Sequence, residues 1–222
     1  MRRTTRKKRT AATTEPRMRK GKYMDEASII ILTGPSGSGK GSVIDCLPDD
    51  YIKAVSATTR APRSGEKEGV DYYFISTDAF RALLAEDGMA EYNYYDGQYY
   101  GTPRSEITDN LARGRRVVLD VDVNGAHNLK KAYPEARMIF IIPPSAAEQE
   151  ARLRARQTNS EESIRRRLER TREELACAED FDCVLINRGG HLQETVAAFL
   201  DAVRGKYPDP AQGREALQRY FD

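Results

Sequence analysis

At 222 residues the chain is long enough for one well-buried domain, or for one domain carrying lobes. Its three cysteines, Cys46, Cys177 and Cys183, fit neither a disulfide framework nor a zinc spacing, and only two histidines are present, which argues against a His-centred metal site or triad. The net charge of +2 is unevenly placed: residues 1–26 hold ten Lys/Arg against three acids, the remainder 26 basic and 31 acidic, so the basic character belongs to a tail.

That tail, residues 1–26, lacks apolar periodicity and is expected to be disordered. A passive leader is preferred over a transit peptide, which would be amphipathic, or a nucleic-acid arm. From Ser28 onward short apolar runs alternate with helix-period segments, the pattern of a parallel sheet with helices on its faces. Strands are expected at 28–33, 53–57, 116–121, 137–142 and 182–186. Helices are expected to begin at Gly39, Pro103, Asn124, Ala146 and Ser160, with another across 192–203; Ser160 precedes Glu161 and Glu162, a good helix start. Between about 70 and 101 the alternation breaks. The aromatic, turn-punctuated stretches DYYFISTD and MAEYNYYDGQYYG read as antiparallel strands around a helix at 79–87, a lobe inserted into an α/β core. Residues 205–222 form an extension with a candidate short amphipathic helix. No apolar run is long enough to span a bilayer, so a cytoplasmic protein with no membrane or nucleic-acid partner is expected.

The most specific stretch is GPSGSGKGS, residues 34–42, directly after the first strand and opening a helix. Backbone N–H groups of such a glycine loop cradle phosphate oxygens, and Lys40 adds charge at the β and γ phosphates. The hydroxyl that usually follows the lysine is displaced from Gly41 to Ser42. This weakens the case for a switch GTPase or motor ATPase, where that hydroxyl ligates magnesium directly, and leaves a kinase reading intact.

Chemistry for a second substrate lies in SATTRAPRSGEKEGVDYYF and AEYNYYDGQYYGTPR. Arg60 and Arg63 with Tyr72 suit a phosphate monoester, although paired arginines are common on solvated surfaces. Glu91 is a lone acid in an apolar, aromatic strand. From its position alone a solvent-facing residue is the better reading. Its chemical reading is sharper, because guanine presents N1–H and N2–H₂ side by side to a carboxylate, whereas adenine offers an unprotonated N1 that a carboxylate repels. Thr102 or Ser56 could donate to O6. Asp120 and Asp122 end an apolar strand on one face, at the end where open α/β sheets bind ligands. Arg152 and Arg156 share a helix face, and Arg167 lies in the same arginine-dense stretch, as a lid over a transferring phosphoryl group requires.

In order, GPSGSGKGS, SATTRAPRSGE with GVDYYF, GQYYGT, LDVDVNGA, IFIIPPS, RLRARQTNSEESIRRRL and VLIN make residues 28–204 resemble the guanylate kinases, which move the γ-phosphate of ATP onto GMP. The resemblance implies an α/β fold: a P-loop NTPase-type parallel sheet flanked by helices (28–55 and 103–204), an inserted mixed α/β GMP-binding lobe (56–102) and an Arg-rich helical lid (145–168), within one domain spanning 27–204. It implies that Gly34, Pro35, Ser36, Gly37, Ser38, Gly39, Lys40, Gly41 and Ser42 hold the ATP phosphates, with Asn187 near the adenine. Ser56, Glu91, Thr102 and Asp120 would hold guanine, and Arg60, Arg63, Tyr72 and Tyr100 the GMP phosphate. Lys40, Arg60, Arg152, Arg156 and Arg167 would be catalytic. Mg²⁺ would be met by Ser42 and Asp122, mostly through water, and the enzyme would act on ATP and GMP as a monomer or homodimer.

Asn124, Gln157 and Arg188 depart from the family pattern without removing a catalytic group. A phosphopeptide-binding relative that has lost catalysis is disfavoured by the presence of Lys40, Arg60 and Glu91. A ribose 1,5-bisphosphate kinase would have no use for Glu91.

Overall fold

The computed structural model describes residues 27–155 and 160–222. The expectations for the tail, Arg156 and Gln157 lie outside the described residues. In chain order the elements begin with β1 (Ile29–Thr33), the phosphate loop, α1 (Lys40–Ile44) and β2 (Tyr51–Lys53). Then come β3 (Ala57–Thr58), β4 (Tyr73–Phe74), α2 (Thr77–Ala85), β5 (Met89–Tyr95) and β6 (Gln98–Pro103). The chain continues through α3 (Arg104–Ala112), β7 (Arg116–Asp120), α4 (Val123–Ala132), β8 (Arg137–Ile142), α5 (Ala146–Ala155) and α6 (Glu161–Ala176). It ends with β9 (Cys183–Ile186), α7 (Leu192–Val203) and α8 (Pro210–Gln218).

Five strands form a parallel sheet in the order β2-β7-β1-β8-β9. β1 is its middle strand, and the run Ile29-Ile30-Ile31-Leu32 is buried on both faces, as a parallel strand between helical layers must be. Ile29 and Ile31 join Phe140, Leu129, Ile107 and Leu175 on one side. Ile30 and Leu32 meet Val43, Ile139, Val196 and Phe199 on the other. Each such side chain contributes about 1.5–3 kcal/mol of burial. α6 begins where capping predicts: Ser160 accepts from the Ser163 N–H at 3.2 Å, and Glu161 and Glu162 fill its first turn.

The lobe is a second sheet, β4-β3-β6-β5, closed over Phe80 of α2. Asp96 and Gly97, both at positive φ, turn the β5–β6 hairpin. Three local expectations are corrected. The apolar stretch 53–57 is not one strand: Tyr51–Lys53 pairs with β7, the chain leaves that sheet at Ala54, and Ala57–Thr58 joins the lobe. Tyr51 is held in the first sheet by an edge contact with Phe199, which sets where the strand lies. β4 pairs with β3 in parallel, not antiparallel, because residues 59–72 carry the chain back before it pairs again. α2 starts two residues earlier than expected, where Ser76 accepts from the Ala79 N–H.

Between the two sheets, Glu106 of α3 accepts the Val55 N–H (3.0 Å) and the Tyr73 hydroxyl (2.7 Å), tying the linker to the lobe. That bond pushes the Tyr73 hydroxyl up to about 12. The last residues pack on the core: Gly213 of α8 lies against Val184, and Tyr220 is buried.

Candidate active site

The phosphate loop joins the buried end of β1 to the first turn of α1. Its shape is fixed by backbone conformation and by neighbours on three other elements. Gly39 has φ +91°, and a Cβ there would sit 2.3 Å from Asn187 Nδ2, so only glycine fits. Asn187 donates through Nδ2 to the Ser38 carbonyl (2.8 Å), and its own Oδ1 accepts from Thr195 (3.2 Å). Arg152 donates to the carbonyls of Gly37 (3.3 Å), Ser38 (3.2 Å) and Asn187 (2.7 Å) and is paired with Glu148. With loop carbonyls facing these donors, the loop amides other than that of Ser38 can meet a ligand. Pro35 is buried, and its carbonyl accepts the Ser38 N–H, closing the loop's tight turn.

Lys40 donates to the Gly34 carbonyl and stands 3.8 Å from Asp120 Oδ1. Gly41 and Ser42 are exposed on the outer side of α1. Ser42 borders a cavity of about 290 Å³ shared with Gly37, Gly39, Arg152 and Asn187. Ser36 is gripped twice: Arg167 Nη1 donates to its hydroxyl (2.6 Å), and Gln149 Nε2 donates to its carbonyl (2.9 Å).

A second cavity, about 270 Å³, opens between the lobe and the core and is lined by Ser56, Tyr72, Glu91, Tyr100, Asp120 and Arg170, among others. Glu91 is buried here, against the positional expectation of a solvent-facing residue. It pairs across the hairpin with Thr102, whose hydroxyl donates to its carboxylate at 2.8 Å; Ser56 Oγ is 3.5 Å from the same hydroxyl. Burial raises its pKa from the ordinary 4.5 to about 7; the Thr102 hydroxyl opposes the shift and the Asp122 charge adds to it. Its other oxygen would lie 3.0 Å from a Cβ at Gly125, a tight contact.

Arg60 is not among the residues lining this cavity but stands behind its Tyr72, 5.1 Å from the ring centre, held by a two-pronged pair with Glu66 (2.6 and 2.7 Å). Glu66 also accepts the Arg63 N–H, and the Arg60 partnership holds its carboxyl down at about 2. The Arg63 side chain is exposed. Tyr72 and Tyr100 meet edge to face at 6.3 Å.

Asp120 ends β7, but the strand stops there and Asp122 does not continue it. Asp122 caps α4 instead, its Oδ1 accepting the Gly125 N–H (2.9 Å). Its Oδ2 accepts from Asn93 Nδ2 (2.9 Å) and Arg170 Nη2 (3.4 Å). Arg170 and Asn93 escaped the sequence reading. Arg170 stands on α6 one turn after Arg167, pairs with Glu174 at 3.0 Å and lies 5.1 Å from the Tyr95 ring centre, so one side chain touches α6, the core and the lobe. Its spacing of three from Arg167 was the available signal. Asn124 and Arg188 are exposed.

The structure thus gathers Ser56, Glu91, Thr102, Tyr72, Tyr100 and Asp120 at the lobe cavity, and Asn187, Arg152 and Arg167 at the loop, whose Lys40 stands 3.8 Å from Asp120. Two pockets linked by a lysine–aspartate contact suit transfer between two anionic ligands.

Residues 26–204 match the family model described as guanylate kinase. The chain is similar to the guanylate kinase of Thermosynechococcus vestitus, 42% identical over 183 residues, covering 81% of this chain and 95% of that one. It is also similar to that of Trichormus variabilis, 47% identical over 163 residues, 72% and 81% of the two chains. The crystal structure of guanylate kinase from Anaplasma phagocytophilum superposes with a TM-score of 0.63 at 29% identity, covering 82% of this chain and 87% of that one.

Proposed function

The chain belongs to the guanylate kinase family and is an ATP:GMP phosphotransferase, and we propose that it works through the two pockets linked by Lys40 and Asp120, with the residue roles that follow. The observation that carries the assignment is the buried Glu91–Thr102 pair facing Ser56 in the lobe cavity. A buried carboxylate with one oxygen taken by a hydroxyl selects a base with two adjacent N–H donors. Guanine has them and adenine does not.

The GMP phosphate goes to Arg60, Arg63, Tyr72 and Tyr100, with Arg60 pre-aimed by Glu66. The loop amides and Lys40 hold the β and γ phosphates of ATP, and Asn187 stands at the adenine end. Arg152 sets the loop's carbonyls, while Arg167, with Arg156, supplies charge over the transferring group. The acceptor is a phosphate oxygen that is already ionised near neutral pH, so no general base is required. Positioning and positive charge carry the rate.

Among the described residues no group of three or more His, Cys, Asp or Glu is arranged to hold a metal ion. This fits Mg²⁺, which takes one or two protein oxygens and keeps its waters and the substrate phosphates. Ser42 and Asp122 would meet the ion mostly through water, with Asp120, 3.8 Å from Lys40, at the same strand end. When bound with ATP the ion would neutralise phosphate charge. A cytoplasmic location accompanies this reading, in keeping with three free thiols. No helix among the described residues is long and apolar enough to cross a membrane.

The test is ADP release with GMP, AMP, dTMP and ribose 1,5-bisphosphate under magnesium-ATP. Turnover is expected with GMP alone, and none with GMP would overturn the reading.

A further inference from the structure

Residues beyond 204 lie outside the stretch that matches the family, yet they end against the phosphate loop's own support. After α8 the chain turns Tyr220 into the core at 1% exposure. The Tyr220 carbonyl accepts the N–H of Ala146, the first residue of α5 (2.8 Å). The Tyr220 hydroxyl donates to Gln149 Oε1 (3.1 Å). Next to it, the Phe221 ring lies 3.8 Å from the Arg172 guanidinium of α6.

Gln149 is fully buried and its amide is fully engaged. Nε2 donates to the Ser36 carbonyl (2.9 Å) and to Thr171 Oγ1 (2.8 Å), leaving Oε1 for Tyr220. The amide orientation follows from its partners, since the Ser36 carbonyl can only accept. The Thr171 hydroxyl donates to the Arg167 carbonyl (2.8 Å), and Arg167 Nη1 donates to the Ser36 hydroxyl (2.6 Å). Ser36, Gln149, Thr171 and Arg167 therefore close a ring, and Tyr220 supplies a donor to its hub. Remove that donor, and a buried amide oxygen loses its partner beside the loop, so the ring loses one of the bonds that fix the amide's orientation toward Ser36.

We infer that Tyr220 and Gln149 are positioning residues for ATP, and that the C-terminal segment acts as a clasp holding Ser36 and Arg167 in register for transfer. This rests on the reading of residues 34–42 as the ATP cradle. The GMP pocket is built mainly from the lobe and the end of β7 and shares only Arg170 with α6, so the clasp should act chiefly on ATP.

The experiment is steady-state kinetics, with a thermal melt for each protein, on Tyr220→Phe, Gln149→Leu and the double variant. Tyr220→Phe removes one hydrogen bond and no packing, and should lower kcat/KM for ATP about five-fold. KM for GMP should stay within about two-fold. Gln149→Leu should lose about 20-fold or more, and the double variant no more than Gln149→Leu, because Tyr220 acts through that amide. The inference is overturned if Tyr220→Phe keeps wild-type kcat/KM for ATP. It is equally overturned if both KM values move together in step with melting temperature, or if the two losses multiply in the double variant. Should Gln149→Leu not fold, Tyr220→Phe alone decides. A wild type that does not turn over GMP would instead defeat the kinase reading.

Discussion

Glu91 and Thr102 face each other across the β5–β6 hairpin with the threonine hydroxyl 2.8 Å from a carboxylate that is 9% exposed. In the proposed reading this pair selects guanine, and its burial carries an energetic cost. The folded pKa of about 7 lies above the unfolded 4.5, so between those values the folded chain binds more protons. Stability supplied by the neutral form is present below pH 4.5 and lost as pH rises through about 7, on the order of 3 kcal/mol in all. Glu91→Gln should therefore melt higher than wild type at pH 8, with the advantage gone at pH 4. The same variant should lose its preference for GMP over AMP. In wild type, KM for GMP should rise about ten-fold from pH 8 to pH 6, as the carboxylate that accepts two N–H donors is titrated away. A flat profile would remove Glu91 from guanine recognition.

Arg60 has its guanidinium plane fixed by Glu66 and by the Tyr72 ring. Arg60→Ala should cut kcat/KM for GMP at least about 100-fold. Glu66→Ala leaves the charge but frees the fork, and should raise KM for GMP by about ten-fold with a smaller change in kcat. Equal losses in the two variants would mean that Glu66 does more than aim its partner.

The loop's two inner glycines before and after Lys40 are not equivalent. A Cβ at Gly39 meets Asn187 at 2.3 Å, whereas one at Gly41 meets nothing within 4 Å and needs no positive φ. Gly39→Ala should abolish most turnover, as should Lys40→Met. Gly41→Ser should retain activity within about three-fold, since an exposed, unstrained substitution perturbs little. Collapse of Gly41→Ser would show that the position serves the ligand directly.

Arg170 offsets two carboxylates, Asp122 and Glu174. Burial already raises the Glu174 carboxyl, with Arg170 opposing that shift. Arg170→Ala should destabilise the protein by about 1–3 kcal/mol, read in a melt, because partly buried charges lose their partner. It should also lower kcat, since α6 would lose its contact with the lobe at Tyr95.

Chelation with EDTA should stop turnover and leave GMP binding, read by calorimetry, largely intact, because the lobe cavity draws on side chains and not on the ATP-bound ion.

The parts legible in the sequence were those set by continuous local signals. Ile29–Leu32, Val117–Leu119 and Met138–Ile142 read as buried parallel strands because each run has apolar residues on both faces. The phosphate loop is a motif whose chemistry is carried by consecutive residues. The stretch 53–57 misled because one apolar run serves two sheets, and the switch at Ala54 is decided by pairing with β7 and the lobe. Burial of Glu91 was invisible, since it depends on α4 and Gly125 closing over the hairpin. Gln149 and Tyr220 lie 71 positions apart, and their bond exists only once α8 has packed.

Glu106 stands where the chain passes between the sheets: β6 returns to α3 immediately before it, and the outgoing linker is tied to it at Val55. Both tethers of the lobe therefore converge on one carboxylate, which also holds Tyr73 inside the lobe. Losing that one carboxylate would leave the Val55 N–H and the Tyr73 hydroxyl without their shared acceptor at the same moment, so the linker and the lobe would come loose together.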